Sequence, residues 1–456
     1  MNYHPKNANN RTFYDIRQQF LRQERNPEDY LEDCLQAIQN QDDTVRAWVI
    51  LNEEGARQAA QEAAQRYQRG NPLSPIDGLP IGIKDLIETK DMPTQMGCAA
   101  FDGHFPKVDA AAVQALRAAG AIILGKTVTT ALGFLDPGPT RNPFDPQRTP
   151  GGSSSGSAAA VAADMVPAAM GSQLIGSVIR PASFCGNWGY KPTFGALSRG
   201  ERLTYSQSHL GVHANHPIDL WSVAYAISSR VGGDPNARGL YGPADAPAAY
   251  APARLAVVQG EAWERVSPTT LEQFEHLLEH LKQAGVQIIR RADNPLLEHF
   301  EQLIAESASL SLAISAWEQR ASLKGLIQNH PGVLGPKQIE QFEKAQRLSL
   351  DEHRLHLHKR DIVQLAHQAL APIADGLITL SAIGPAPNAK EALHSAYPTG
   401  DVTFSSISSI LWAPSINLPL LVDEQLPVGV QLIGQQQQDA LTMAHARWIA
   451  ESYLAH

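Results

Sequence analysis

The chain has 456 residues, 43% of them hydrophobic and 18% charged, with a formal net charge of −9. That size exceeds what a self-supporting core needs, and the usage is globular rather than disordered or fibrous. The acidic balance, with no run of Lys and Arg able to track phosphates, argues against nucleic acid and anionic membrane surfaces as partners.

In chain order, residues 12–70 carry apolar positions at three- and four-residue spacing, as in YLEDCLQAIQ and GARQAAQEAAQRYQ, which predicts an amphipathic helical segment over 1–70. NPLSPIDG, at 71–78, is a turn-rich break, and LPIGIKD reads as a short apolar strand ending in a lysine. Residues 109–119 read as helix, 121–124 as buried strand, 157–164 as helix and 166–171 as strand, so 71–244 is expected to be an α/β core. Residues 245–376 change character and predict a mainly helical insertion over the sheet, near the substrate pocket, with VQIIRR as its one strand. Strand signals return in LITL and VGVQLIG, and DALTMAHARWIAESYL closes the chain as a helix, so 377–456 reads as the rest of the same core. Cys34, Cys98 and Cys185 are odd in number and widely spaced, which suits a reducing compartment. With no signal-peptide core and no apolar run of roughly 18 residues, the expectation is a cytoplasmic protein that does not span a membrane.

The most informative stretch is 149–192, TPGGSSSGSAAAVAADMVPAAMGSQLIGSVIRPASFCGNWGYKP. Two Gly/Ser clusters are separated by a helix of small residues and a strand, so their serines sit at Gly-flanked turns. Such turns can present a hydroxyl beside backbone N–H groups, as acyl transfer requires. Read alone, each cluster is equally a flexible loop or a helix N-cap, and Lys84, next to Asp85, an ordinary surface lysine. The apolar run at 80–83 feeds straight into Lys84, however, and a lysine in low dielectric loses its charge readily, as an amine base must.

GLPIGIKD, RNPFDPQRTPGGSSSGSAAAVAA, GSVIRPASFCGNWGYKPTFG and the 24-residue step from Ser153 to Ser177 closely resemble the amidase signature family, strongly over 76–198 and weakly elsewhere. The resemblance implies an α/β fold, with a large mixed central β-sheet covered by helices on both faces in a single compact domain. It implies Lys84 as general base, Ser153 as proton relay after a cis peptide at Gly152, and Ser177 as nucleophile. Backbone N–H groups of Leu174, Ile175, Gly176 and Ser177 would form the oxyanion hole, with no metal or organic cofactor. The implied activity is hydrolysis of the C–N bond of a small-molecule amide, aryl amide, carbamate or urea-like compound through an acyl-enzyme. The alternatives are a non-catalytic binding protein of the same fold and a glutamine-using, A-type amidotransferase subunit. Ser154, Gln173, Phe134 and Trp412, with Trp317, are expected to line the substrate pocket. A homodimer is the base-rate oligomer.

Departures from the family pattern are informative. The family places Asp, Thr or Ile, Gly, Gly and Ser where this chain has Gln173, Leu174, Ile175, Gly176 and Ser177. A β-branched Ile175 cannot relax to positive φ, and its side chain needs volume beside the oxyanion site. The expectation is a reshaped, more apolar acyl pocket, with a disabled site as the alternative. SHLGVHANHPIDLW stands for DHxGPxARSxED, and WAPSINLPLLV for GxPAxSxPxG, placing Trp412 where glycine is usual. GAIILGKT satisfies the expression GxxxxGK[ST], but AIIL reads as strand rather than as a phosphate-cradling loop. HRLHLH lies on a charged helix with no HExxH or CxxC to support zinc, and His209, His213 and His216 read as structural or solvated by default.

Overall fold

The computed structural model describes residues 3–8, 12–200 and 205–455. Among them, eleven strands form one sheet: β1 Trp48–Leu51, β2 Pro80–Lys84, β3 Ile122–Thr127, β4 Ala168–Gln173, β5 Trp188–Lys191, β6 His209–Ala214, β7 Arg254–Val257, β8 Gln287–Ile289, β9 Gly376–Leu380, β10 Ser415–Asp423 and β11 Leu426–Ile433. Their order is β1-β3-β2-β4-β6-β5-β10-β11-β9-β7-β8. Parallel pairs at β3-β2-β4 and β9-β7-β8 flank an antiparallel centre from β4 to β9, so the sheet is mixed.

Successive strand residues point to opposite faces, and here both faces are covered, which is why the strands read as unbroken apolar runs. Ile123 of β3 and Met170 of β4 join a core with the helices Ala111–Ala118, Pro217–Val231 and Asp439–Leu454. Ile122, Leu124 and Ala169 face the other way, against the helices Pro27–Val45, Glu53–Gln68 and Ser155–Ala162. Further along that second face, Ala256 of β7 and Leu377 of β9 pack with Ser307–Asn329, Leu350–Ala369 and Thr403–Ile410.

Three expectations are corrected. The segment over 1–70 is not wholly helical, because WVIL forms β1, antiparallel to β3 with Trp48 opposite Thr127 and Leu51 opposite Gly125. The 245–376 segment contributes two strands rather than one, and both extend the sheet in parallel beyond β9 instead of lying over it. WAPSINLPLLV contains β10, which sits between β5 and β11. GAIILGKT is strand through its lysine, and Lys126 Nζ meets Thr94 Oγ1 at 2.6 Å and Asp85 Oδ1 at 3.3 Å, with no cradle. Among the described residues no helix is long and apolar enough to cross a membrane.

Lys191, at the end of β5, is buried against the carbonyls of Pro192 and Ala413, and burial pushes its pKa down to about 7. The folded state therefore sheds this proton near pH 7, while the unfolded chain holds it until about 10.5. Between those values the unfolded state binds more protons, so stability rises with pH, by about 1.4 kcal/mol per pH unit for one proton. Urea unfolding at several pH values from about 7.5 to about 9.5 should show stability rising with pH, and Lys191→Met should lower the slope by about one proton's worth. An unchanged slope in that variant contradicts the assignment.

Candidate active site

β2 ends on Lys84, whose side chain is completely buried. Its Nζ lies 2.7 Å from Ser153 Oγ, 3.0 Å from both Ser154 Oγ and Ser172 Oγ, and 3.2 Å from the Ser172 carbonyl oxygen. Among the described residues it has no carboxylate partner, since Asp85 turns to Lys126. Burial alone pushes its pKa well below the usual 10.5. Hydroxyls and a carbonyl around the amine, without a counter-ion, favour its neutral form. Ser153 follows a cis peptide bond from Gly152, and Ser154 caps the approach to the helix Ser155–Ala162.

Ser177 lies in the turn between β4 and the helix Ile179–Phe184 and keeps 8% of its surface exposed. Its carbonyl accepts from the Ser154 N–H at 3.3 Å, which ties the two serine loops together. Among the described residues, the Ser177 hydroxyl forms no hydrogen bond to Ser153. Lys84 and Ser153 are thus in contact, and Ser177 is beside them but unlinked. No turn, loop or cap hydrogen bond engages the N–H groups of Leu174, Ile175, Gly176 or Ser177 among the described residues. Neither Ile175 nor Gly176 adopts positive φ, so the turn does not call for the conformation that a β-branched residue resists. What position 176 requires is space: a Cβ there would lie 2.0 Å from Ser405 Oγ.

Two residues expected to line the substrate pocket serve the scaffold instead. Ser154 is fully buried, bonded to Lys84 and donating to the Ser172 carbonyl at 3.1 Å. Gln173 is fully buried, and both polar atoms of its amide are used inside the protein. Phe134 is half-buried and follows Gly133, where an added Cβ would lie 3.7 Å from Ser153 Oγ. Its loop is held by the helix Pro336–Arg347, with Gln338 Nε2 donating to the Ala131 carbonyl at 2.8 Å and Asp136 accepting the Lys337 and Gln338 N–H groups. Trp412 has a φ of 56°, the left-handed conformation that favours glycine. Its ring stacks on Phe194 at 4.5 Å, and its Nε1 donates to the Ser206 carbonyl at 2.8 Å. It borders a cavity of about 360 Å³ with Phe194 and Arg199, which none of Lys84, Ser153 and Ser177 lines. Trp317 stacks on His353 at 4.8 Å and is not brought to the triad.

Of the three histidines, His213 comes nearest. A Cβ at Gly171 would sit 2.9 Å from Ser154 Oγ and 3.1 Å from His213 Nε2, and burial pushes the imidazole down to about 3. His209 packs edge-on against Phe194, and His216 caps the helix Pro217–Val231. Sequence reasoning missed Arg180, although it lies in the quoted GSVIRP. This buried guanidinium donates to the Gly152 carbonyl at 2.6 Å and to Thr399 Oγ1 at 3.0 Å. Burial lowers its pKa to about 10, so it stays charged at neutral pH. Ser405 and Ser409, on the helix Thr403–Ile410, were also missed, and only the SSISS run hinted at them.

A mixed sheet with helices on both faces, carrying a buried lysine against a serine turn, defines an α/β protein with a lysine–serine site. The family profile described as Amidase matches residues 29–443, and the chain belongs to the amidase signature family, whose enzymes act on carbon–nitrogen bonds. The A-type subunit of the glutamyl-tRNA(Gln) amidotransferase of Chloroflexus aurantiacus is 41% identical over 224 residues, which cover 47% of this chain and 45% of that protein. The chain thus spans about half the length of the curated relatives it matches first. A crystal structure of an amidase superposes with a TM-score of 0.82 at 25% identity, covering 97% of this chain and 99% of that one. The A-type subunit of the glutamyl-tRNA(Gln) amidotransferase from Thermotoga maritima superposes with a TM-score of 0.74 at 25% identity, covering 93% and 91%.

Proposed function

We propose that this chain is an amidase that hydrolyses the C–N bond of a small-molecule amide, aryl amide, carbamate or urea-like compound through an acyl-enzyme on Ser177. The observation that carries this reading is Lys84, fully buried, without a counter-ion, 2.7 Å from Ser153 Oγ. A neutral amine has two N–H donors and one lone pair. The Ser172 carbonyl can only accept, and Ser154, which gives its own proton to that carbonyl, accepts as well. That leaves the lone pair for a hydroxyl free to donate, Ser153 at 2.7 Å or Ser172 at 3.0 Å; Ser153 is the nearer, and Lys84 acts as its base.

The Ser177 hydroxyl turns toward Ser153, passes its proton there as Ser153 passes one to Lys84, and forms a bond to the carbonyl carbon. Catalytic hydrogen bonds are commonly loose before substrate arrives, so the open Ser177–Ser153 link is compatible with this step. The oxyanion meets the unengaged N–H groups of 174–177. Lys84 returns its proton through Ser153 to the leaving nitrogen and the C–N bond breaks; water, deprotonated by the same route, then bonds to the acyl carbon, the C–O bond to Ser177 breaks, and Ser177 regains a proton through Ser153 as the acid leaves. Leu174 and Ile175, half-buried at the turn, favour an apolar acyl group.

An A-type amidotransferase subunit is the second reading, favoured by the 41% identity to one such protein. It predicts glutaminase activity and co-purifying partner chains. The amidase reading draws support from the higher structural likeness across nearly the whole chain. A fluorophosphonate probe tests both against a non-catalytic protein: the adduct is expected on the peptide carrying Ser177 and absent from Ser177→Ala. An unlabelled wild type, or an adduct elsewhere, overturns the nucleophile assignment. Glutamine hydrolysis exceeding that of aryl anilides and carbamates would favour the second reading.

A further inference from the structure

The nucleophile turn is fastened by a side chain that takes no part in the chemistry above. Gln173 is the last residue of β4, and its amide straddles Ser177. Oε1 accepts from the N–H of Val178 at 2.8 Å and of Ile179 at 3.0 Å. Nε2 donates to Ser409 Oγ at 2.9 Å and to the Ile175 carbonyl at 3.3 Å. Ser409 Oγ donates to that same carbonyl at 2.9 Å. One end of the amide thus pins the residues after the nucleophile, and the other pins the peptide before it.

The peptide unit joining Ile175 to Gly176 is trans and planar, so its carbonyl and its N–H point in opposite directions. Holding the Ile175 oxygen toward Gln173 and Ser409 fixes the Gly176 N–H on the side opposite them. This N–H is one of those left unengaged at the turn. A side chain offering only acceptors at position 173 could take the Val178 and Ile179 N–H groups, yet would face the Ile175 oxygen with another oxygen. Two donors converge on that oxygen because an amide and a hydroxyl meet there.

We infer that Gln173 and Ser409 are a positioning pair that aims the Gly176 N–H at the oxyanion, so that in this chain's Gln-Leu-Ile-Gly turn, which replaces the family's Asp-led one, a donor at position 173 serves the chemical step and not binding. The inference rests on Ser177 being the nucleophile. It is tested with the fluorophosphonate probe by separating the limiting inactivation rate from the half-saturating probe concentration. In Gln173→Glu the limiting rate should fall roughly a hundredfold near pH 8, with half-saturation within about threefold of wild type. As pH is lowered toward about 6, the variant's carboxyl regains an O–H donor while its carbonyl still accepts. The ratio of its rate to wild type should therefore climb about tenfold or more. Ser409→Ala deletes one hydroxyl and should lower the limiting rate about fivefold, with the double variant losing less than the product of the two. If Gln173→Glu does not fold, Ser409→Ala alone decides. A limiting rate within about twofold of wild type in Ser409→Ala, or a pH-independent ratio in Gln173→Glu, overturns the inference. Failure of wild type to label at Ser177 is a different result and strikes the nucleophile assignment itself.

Discussion

Lys84→Met should give a protein about as stable as wild type that reacts with a fluorophosphonate roughly a thousandfold more slowly or worse. Both halves follow from burial. A buried amine without a counter-ion adds little to stability, because desolvation opposes its charged form and its neutral form offers only ordinary hydrogen bonds. Methionine fills similar volume, and the hydroxyls it strands can turn to the Ser172 carbonyl and to one another. The rate suffers because the other titratable groups near Ser153 among the described residues are poor bases: Asp85 is paired with Lys126, and His213 is weakly basic. The pH dependence gives a second readout with a definite sign. The neutral amine is the active form, so the wild-type rate rises with pH and levels off well below 10.5. Calorimetry and labelling kinetics check both. Near-wild-type labelling in Lys84→Met, or a rate still climbing at 10.5, removes Lys84 as the base.

Gly176→Ala should lower the labelling rate about a hundredfold, since misplacing the reacting groups by an ångström costs about that much. The reason is space rather than conformation, because φ at Gly176 is not positive. The added Cβ would lie 2.0 Å from Ser405 Oγ, 2.8 Å from Ser405 Cβ and 3.2 Å from Arg180 Nη1. Either the turn or the helix Thr403–Ile410 must move. The distances also grade the rescue: Ser405→Ala removes the nearer clash and should restore part of the rate, and Ser405→Gly removes both and should restore more. Equal rates in all three backgrounds contradict this account of the glycine.

Much of the catalytic half was legible in the sequence because its elements are local. PIGIK is apolar on both sides up to its lysine, and the Gly/Ser turns flank a small-residue helix and a strand, so β2, β4 and the serines between them could be placed from pattern alone. β1 was hidden because four residues between two helices of the correct period leave too little alternation to break a helical reading. β10 was hidden by Pro419, which speaks against a central strand; the structure accommodates it at a register shift between Leu418 and Leu421. Gln173 was misread as a pocket residue because its partners cannot be seen from its neighbours in sequence. Val178 and Ile179 offer backbone rather than side chains, and Ser409 is 236 residues away. For the same reason Arg180 gave no sign that it holds the Gly152 carbonyl and Thr399 at once.

The long reach from Gln173 to Ser409 also sets a timetable for the protein's birth. On a ribosome adding roughly 5–20 residues per second, the 232 residues from Val178 to Ser409 take on the order of ten to fifty seconds to appear. During that interval the lysine and its neighbouring serine, only 69 residues apart, can already meet, while the turn bearing Ser177 lacks its far anchor. The turn thereby gains its full set of hydrogen bonds only once the C-terminal third has docked.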